Sequence, residues 1–154
     1  MESKTAKSYL YEGLGFPIEL ENVEMLNIDG EWLPKIDVQH IADEVIKRLA
    51  IQETRLTGNQ VKFIRTYFSM PLREFSEKVI HTSHTAVSKW EKTGNETTKM
   101  SENTEQVLRL FILEKTQANS KKEQAAFFHG FQGSKVFLNT KNQKPKPVHI
   151  DMCA

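Results

Sequence analysis

Between Pro71 and Gly94 the chain reads PLREFSEKVIHTSHTAVSKWEKTG, a stretch that leaves the backbone few choices. Pro71 lacks an N–H and has a fixed φ, so it breaks a helix interior but suits a first turn. Gly94 tolerates the left-handed conformation in which helices commonly stop. Between them Ser83 has the short hydroxyl that accepts from free amides at a helix start. The spacing therefore predicts two short helices joined by a polar break at Ile80-His81-Thr82. Leu72, Phe75 and Val79 give the first an inward face. Val87 and Trp90 do the same for the second, leaving His84, Thr85, Ser88 and Lys89 for its other face.

Similar punctuation divides the rest of the chain. From Tyr9 to Ile36, apolar Ile18, Leu20, Val23, Met25, Leu26 and Ile28 alternate with acidic residues, and Asp29-Gly30 supplies a hairpin turn before Trp32-Leu33. The alternation slips near Glu21-Asn22, which predicts a bulge. Asp37 caps a helix whose inward positions are Val38, Ile41, Ala42, Val45, Ile46 and Leu49. Thr57 and Gln60 have capping-box spacing ahead of Val61, Ile64, Tyr67 and Phe68. Ser101 caps a longer helix with Val107, Leu108, Phe111 and Ile112 expected inward. Further on, a helix over Glu123 to Phe128 and short strands at Lys135 to Leu138 and Pro147 to Ile150 fit the pattern around a polar segment. The aromatic run Phe127 to Phe131 suits either a tail packed on the core or a partner surface.

Composition narrows the function classes. The single cysteine, Cys153, allows neither an intrachain disulfide nor a thiolate zinc site. His81 and His84 have no thiols or carboxylates at ligand spacing, so no metal and no cofactor are expected. Apolar runs stop far short of the roughly 20 residues that span a bilayer, and no signal-type stretch opens the chain, which points to a cytoplasmic protein without membrane association. No nucleophile, base and orienter stand out as a set, so the expectation is not an enzyme. The net charge of +1 hides an asymmetry: residues 1–54 carry 5 Lys/Arg against 11 Asp/Glu, residues 55–100 carry 8 against 4, and residues 101–154 carry 8 against 5. The front is acidic and the middle basic. A basic middle suits a phosphate-lined partner, because each cation that meets a phosphate releases a condensed counterion; a solvated charged surface is the alternative.

The helix pair from Pro71 to Lys92 has the layout of a helix-turn-helix, in which the second helix enters the major groove by its N-terminal end. The segment "LREFSEKV...SHTAVSKWEKTG" resembles the XRE (Cro/lambda-repressor-like) family over roughly residues 56 to 113, most specifically in the run Val87-Ser88-Lys89-Trp90-Glu91. The family's turn glycine is missing, the connection at Ile80-His81-Thr82 is one residue longer, and Pro71-Leu72 replaces a common Ser-Gln. Together with the acidic front region, the chain is similar to MqsA/HigA-type antitoxins, although the two Cys-x-x-Cys pairs that hold zinc in such front domains are absent here.

The resemblance implies a mainly α fold, with a five-helix XRE-type domain at 55–116, preceded by a β-hairpin and helix region at 1–54 for toxin binding or dimerisation. An extension follows at 117–154. It implies a transcriptional repressor that, as the antitoxin of a toxin–antitoxin system, regulates its own operon and binds a protein toxin. The DNA would be a palindromic double-stranded operator read by a homodimer joined through the helix from Ser101. Thr85 and Lys89, with His84 and Ser88 beside them, fall at base-contacting positions. Arg73, Ser83, Lys92 and the amides after Thr57 suit phosphates, while Trp90 and Glu91 suit structure. A stand-alone regulator from a mobile element and an interaction module that no longer binds DNA are the alternatives.

Overall fold

The computed structural model describes residues 2–116 and 144–153. The helix read over Glu123 to Phe128, the strand over Lys135 to Leu138 and the Phe127 to Phe131 cluster lie outside them. The chain forms two compact units, Met1–Val45 with Pro147–Ala154, and Ile46–Lys146.

The first unit is a four-stranded sheet. Its central strand β2 (Ile18–Ile28) pairs along one edge with antiparallel β1 (Ser3–Tyr11). Along the other edge lie antiparallel β3 (Glu31–Pro34) and parallel β4 (Val148–Asp151), end to end. Asp29 and Gly30 turn β2 into β3 with φ of 53° and 87°. Positive φ at both central residues is the two-residue turn whose twist matches the flanking strands.

The expected bulge is a different device. Ala6 pairs with Val23 and Ser8 with Glu21, so the register is unbroken across the unpaired Lys7 and Asn22. No residue is inserted. Asn22 instead takes a left-handed φ of 57°, which a short amide side chain tolerates. The buried face changes parity there, from Ile18 and Leu20 to Val23 and Met25. Ser3 to Ser8, small and polar, carries no strand period and escaped the sequence reading. The ladder to β2 makes it a strand.

Helix α1 (Val38–Ile51) starts at Asp37, whose carboxylate accepts from the Gln39 and His40 amides. Ile41, Val45, Ile46 and Leu49 are fully buried, whereas Val38 is exposed. The second unit continues with α2 (Gly58–Tyr67), a short α3 (Leu72–Glu74) that runs on as a π-helix over Phe75–Ile80, α4 (His84–Glu91) and α5 (Glu102–Thr116). Phe75, Ile64, Val87, Leu108 and Ile112 build its interior. No helix among the described residues is long and apolar enough to cross a membrane.

Two expectations are corrected. The chain is not mainly α with a five-helix XRE-type domain: strands of nine, eleven, four and four residues form a sheet, three of them ahead of the helices and the fourth after them. Within residues 55–116 lie α2, α3 with its π-helical continuation, α4 and α5, while α1 precedes them. The cause lies in the edges: β1 pairs with β2 from positions that show little period of their own, and the strand expected over Pro147 to Ile150 joins the same sheet as β4. On α5, Val107 faces solvent and Phe111 is half-buried, because the buried side runs through Glu105, Leu108, Arg109 and Ile112 instead.

Candidate nucleic-acid interface

The residue by which the Ile80-His81-Thr82 connection exceeds the expected one is absorbed before the turn is reached. A π-helix closes its hydrogen bonds one residue further along than an α-helix, so one turn of it accommodates one added residue. Phe75–Ile80 is wound in this way, with the His81 and Thr82 amides both returning to the Ser76 carbonyl. His81 then stands in the left-handed region at φ 55°. It takes a conformation that glycine adopts without steric cost. Ser83 follows in extended backbone, and its hydroxyl accepts from the Ala86 amide at 3.2 Å, starting α4.

Three arrangements hold α4 in place. Val87 is fully buried. Arg65 of α2 grips both oxygens of Glu91, at 2.8 and 2.9 Å, and donates a third bond to the Met70 carbonyl. That bidentate bond raises the Arg65 pKa against the opposing effect of burial. Gly58 lies so close to the end of α4 that a Cβ there would stand 2.3 Å from the Trp90 carbonyl oxygen. Trp90, expected in the core beside Val87, is only half-buried.

The start of α2 is fully occupied from within. The Gly58 amide donates to the Glu96 carbonyl, Asn59 to Gly94 and Gln60 to the Thr57 hydroxyl, while the Thr57 amide donates to the Gln60 side chain. These amides therefore do not serve phosphates, as the reading of the helix start had suggested. The capping box and the returning Gly94–Glu96 loop have taken the donors that helix starts otherwise leave open.

What remains outward is one face of α4. His84, Thr85, Lys89 and Lys92 are exposed and Ser88 is half-buried, at helical positions that share a side. Ser83 sits exposed at its start, and Arg73 is exposed on α3. The expected set is thus brought onto adjoining helices of one unit, with His84, Thr85, Ser88 and Lys89 together on α4. Between Ser83 and Gly94 the sole acid is Glu91, and its carboxylate is turned to Arg65. Opposing charges do reach the neighbouring helix, where Glu74 pairs with Lys78 at 3.7 Å.

A buried polar knot behind this surface escaped the sequence reading. Glu105 of α5 accepts from Arg55 Nε, the Leu56 amide and Arg109, each at 3.1 Å. Arg109, fully buried, also donates to the carbonyls of Gln52 at 2.6 Å and Thr54 at 2.9 Å. Burial lowers the Arg109 pKa and Glu105 opposes that shift. The knot fixes the segment leading into α2. Its only trace in the sequence is the Glu105/Arg109 spacing of four, which solvated helix faces share.

No protein-family model, no curated protein and no solved structure matches this chain. A functional reading therefore rests on its own residues.

Proposed function

We propose that the chain is a sequence-specific DNA-binding transcriptional repressor that lays α4 in the major groove. One observation carries this reading: the outward face of α4 bears His84, Thr85, Ser88 and Lys89, while the helix's one acid is held by Arg65. Such a face offers donors to base edges and no carboxylate to repel phosphates. Lys89 donates to guanine O6 and N7, a contact worth about 1–3 kcal/mol of discrimination. Arg73, Ser83 and Lys92 hold phosphates and set the register without specifying sequence. The capping role of Ser83 leaves its hydroxyl proton available for this.

A second copy completes the reader on a palindromic operator with half-sites about 34 Å apart. Val107 at 43% and Leu110 at 49% exposure support α5 as the seam of that homodimer. The excess of acids in residues 1–54, together with the likeness to MqsA/HigA-type antitoxins, supports a role in masking a basic toxin by complementary charge. Both activities belong to the cytoplasm.

Gel shifts on the chain's own upstream sequence, repeated across salt concentrations, test the first claim. Lys89→Ala is expected to relax preference at one base position, and Lys92→Ala to weaken binding to all sequences alike. Full binding retained by both variants overturns the assignment. Co-expression with the product of the adjacent gene tests the toxin claim. Failure to bind or neutralise that product leaves a stand-alone regulator.

A further inference from the structure

The outer face of the sheet brings together three side chains from two strands that the DNA-binding reading does not use. Glu19 and Glu21 project on one side of β2, two residues apart, with Leu20 buried between them. His149 of β4 pairs in register with Glu19. Its Nδ1 lies 3.1 Å from Glu21 Oε1 and its Nε2 3.7 Å from Glu19 Oε2. Each of the three residues offers a ligand atom within 4.8 Å of the other two.

The chemistry of this contact is incomplete as it stands. A neutral imidazole has one N–H and one lone pair. Set between two carboxylates, it donates to one and turns its lone pair toward the oxygen of the other. Two carboxylates and one imidazole are satisfied together by a cation, either a second proton on the ring or a metal ion. The neighbours order the ligand set. Ser8 of β1 donates to Glu19 Oε1 at 3.0 Å, fixing that carboxylate's orientation while leaving its other oxygen toward the imidazole. Asp151, next on the same face of β4, is engaged by Asn22 and the Cys153 amide. Ligands about 2.0–2.2 Å from a tetrahedral ion lie roughly 3.3–3.6 Å from one another. With one ring nitrogen serving as the ligand, the three ligand atoms lie within 4.8 Å of one another, and side-chain rotation closes the remainder.

We propose that Glu19, Glu21 and His149 bind one divalent transition-metal ion, of the class that accepts mixed imidazole and carboxylate ligands, and that the ion pins β4 to β2. One nitrogen and two carboxylate oxygens leave a tetrahedral ion one position for water. Ser8 is a positioning residue that orients Glu19. The ion reinforces a short junction, since β4 meets β2 over four residue pairs only.

The test uses the untagged full chain, stripped with chelator and titrated with Zn2+ alone by calorimetry, with thermal unfolding followed in parallel. Saturable binding of one Zn2+ per chain is expected, together with a rise in Tm. His149→Ala and, as a milder surface change, Glu21→Gln are expected to abolish both effects while keeping the far-ultraviolet circular dichroism of the parent. Ser8→Ala is expected to bind about 10-fold more weakly. Absence of saturable binding overturns the proposal. So does binding that survives His149→Ala, which places the ion elsewhere, or a His149→Ala destabilisation equal with and without Zn2+, which leaves the imidazole as an ion-pair partner only.

Discussion

His81 shows how a departure from the expected motif is accommodated at the level of one residue. Its backbone is left-handed at φ 55°, a conformation that costs a side-chain-bearing residue about 1–2 kcal/mol relative to glycine. His81→Gly is therefore expected to raise stability by about 1 kcal/mol in urea denaturation, and a loss of stability would show that the imidazole makes a contribution of its own. Gly58 presents the opposite case. A methyl group there meets backbone and side-chain oxygens at the end of α4, so Gly58→Ala is expected to cost about 1–3 kcal/mol. Because the strain falls on α4, the same variant should bind DNA more weakly, as read by gel shift. The Thr57/Gln60 capping box beside Gly58 was legible from spacing alone, since caps are local chemistry. The need for glycine was not, because the atoms it avoids belong to residues more than thirty positions away.

At the scale of elements, α5 is held through charge as well as apolar contact. Removing Arg109 would leave Glu105 buried among the Leu56 amide and Arg55, and would take a donor from the carbonyls of Ala50, Gln52 and Thr54. Arg109→Ala is expected to cost about 3–5 kcal/mol in chemical denaturation. Replacing Arg109 and Glu105 together by apolar residues should cost less than the single change, because no lone buried charge remains. Helix starts at Asp37, Thr57, Ser83 and Ser101 and the Asp29-Gly30 turn were all readable, each resting on two to four consecutive residues. The inward face of α5 was misread at Val107 because apolar periodicity assumes that charge points outward. The π-helical winding of Phe75–Ile80 was visible only as one residue too many in the connection. For the candidate interface, residue identity and helical spacing were legible, whereas the withdrawal of Glu91 by Arg65 required the fold.

For the whole molecule, affinity for DNA should report how many phosphates a dimer neutralises. Each contributes about −0.9 to the slope of log affinity against log salt. On the proposed dimer Lys92→Ala removes one phosphate contact from each half-site, so it is expected to reduce the magnitude of that slope by about two. Lys89→Ala should leave the slope closer to the parent's if Lys89 faces a base. A common slope for the parent and the Lys92 variant in salt-titrated binding would remove Lys92 from the phosphate contacts.

The strand that completes the sheet comes from far along the chain: Asn22 and Asp151, which bond across β2 and β4, are separated by 129 positions. During synthesis β2 leaves the ribosome long before β4 exists, and the helical unit is made in the interval. Domains generally fold in the order in which they emerge. The helices can therefore assemble first, while one edge of β2 waits with its backbone donors and acceptors open. An open strand edge invites pairing with other chains and attack by proteases. A chain interrupted before Val148 would thus carry a finished helical unit on an unfinished sheet, and the cell's degradation machinery could tell it from the intact product by that exposed edge.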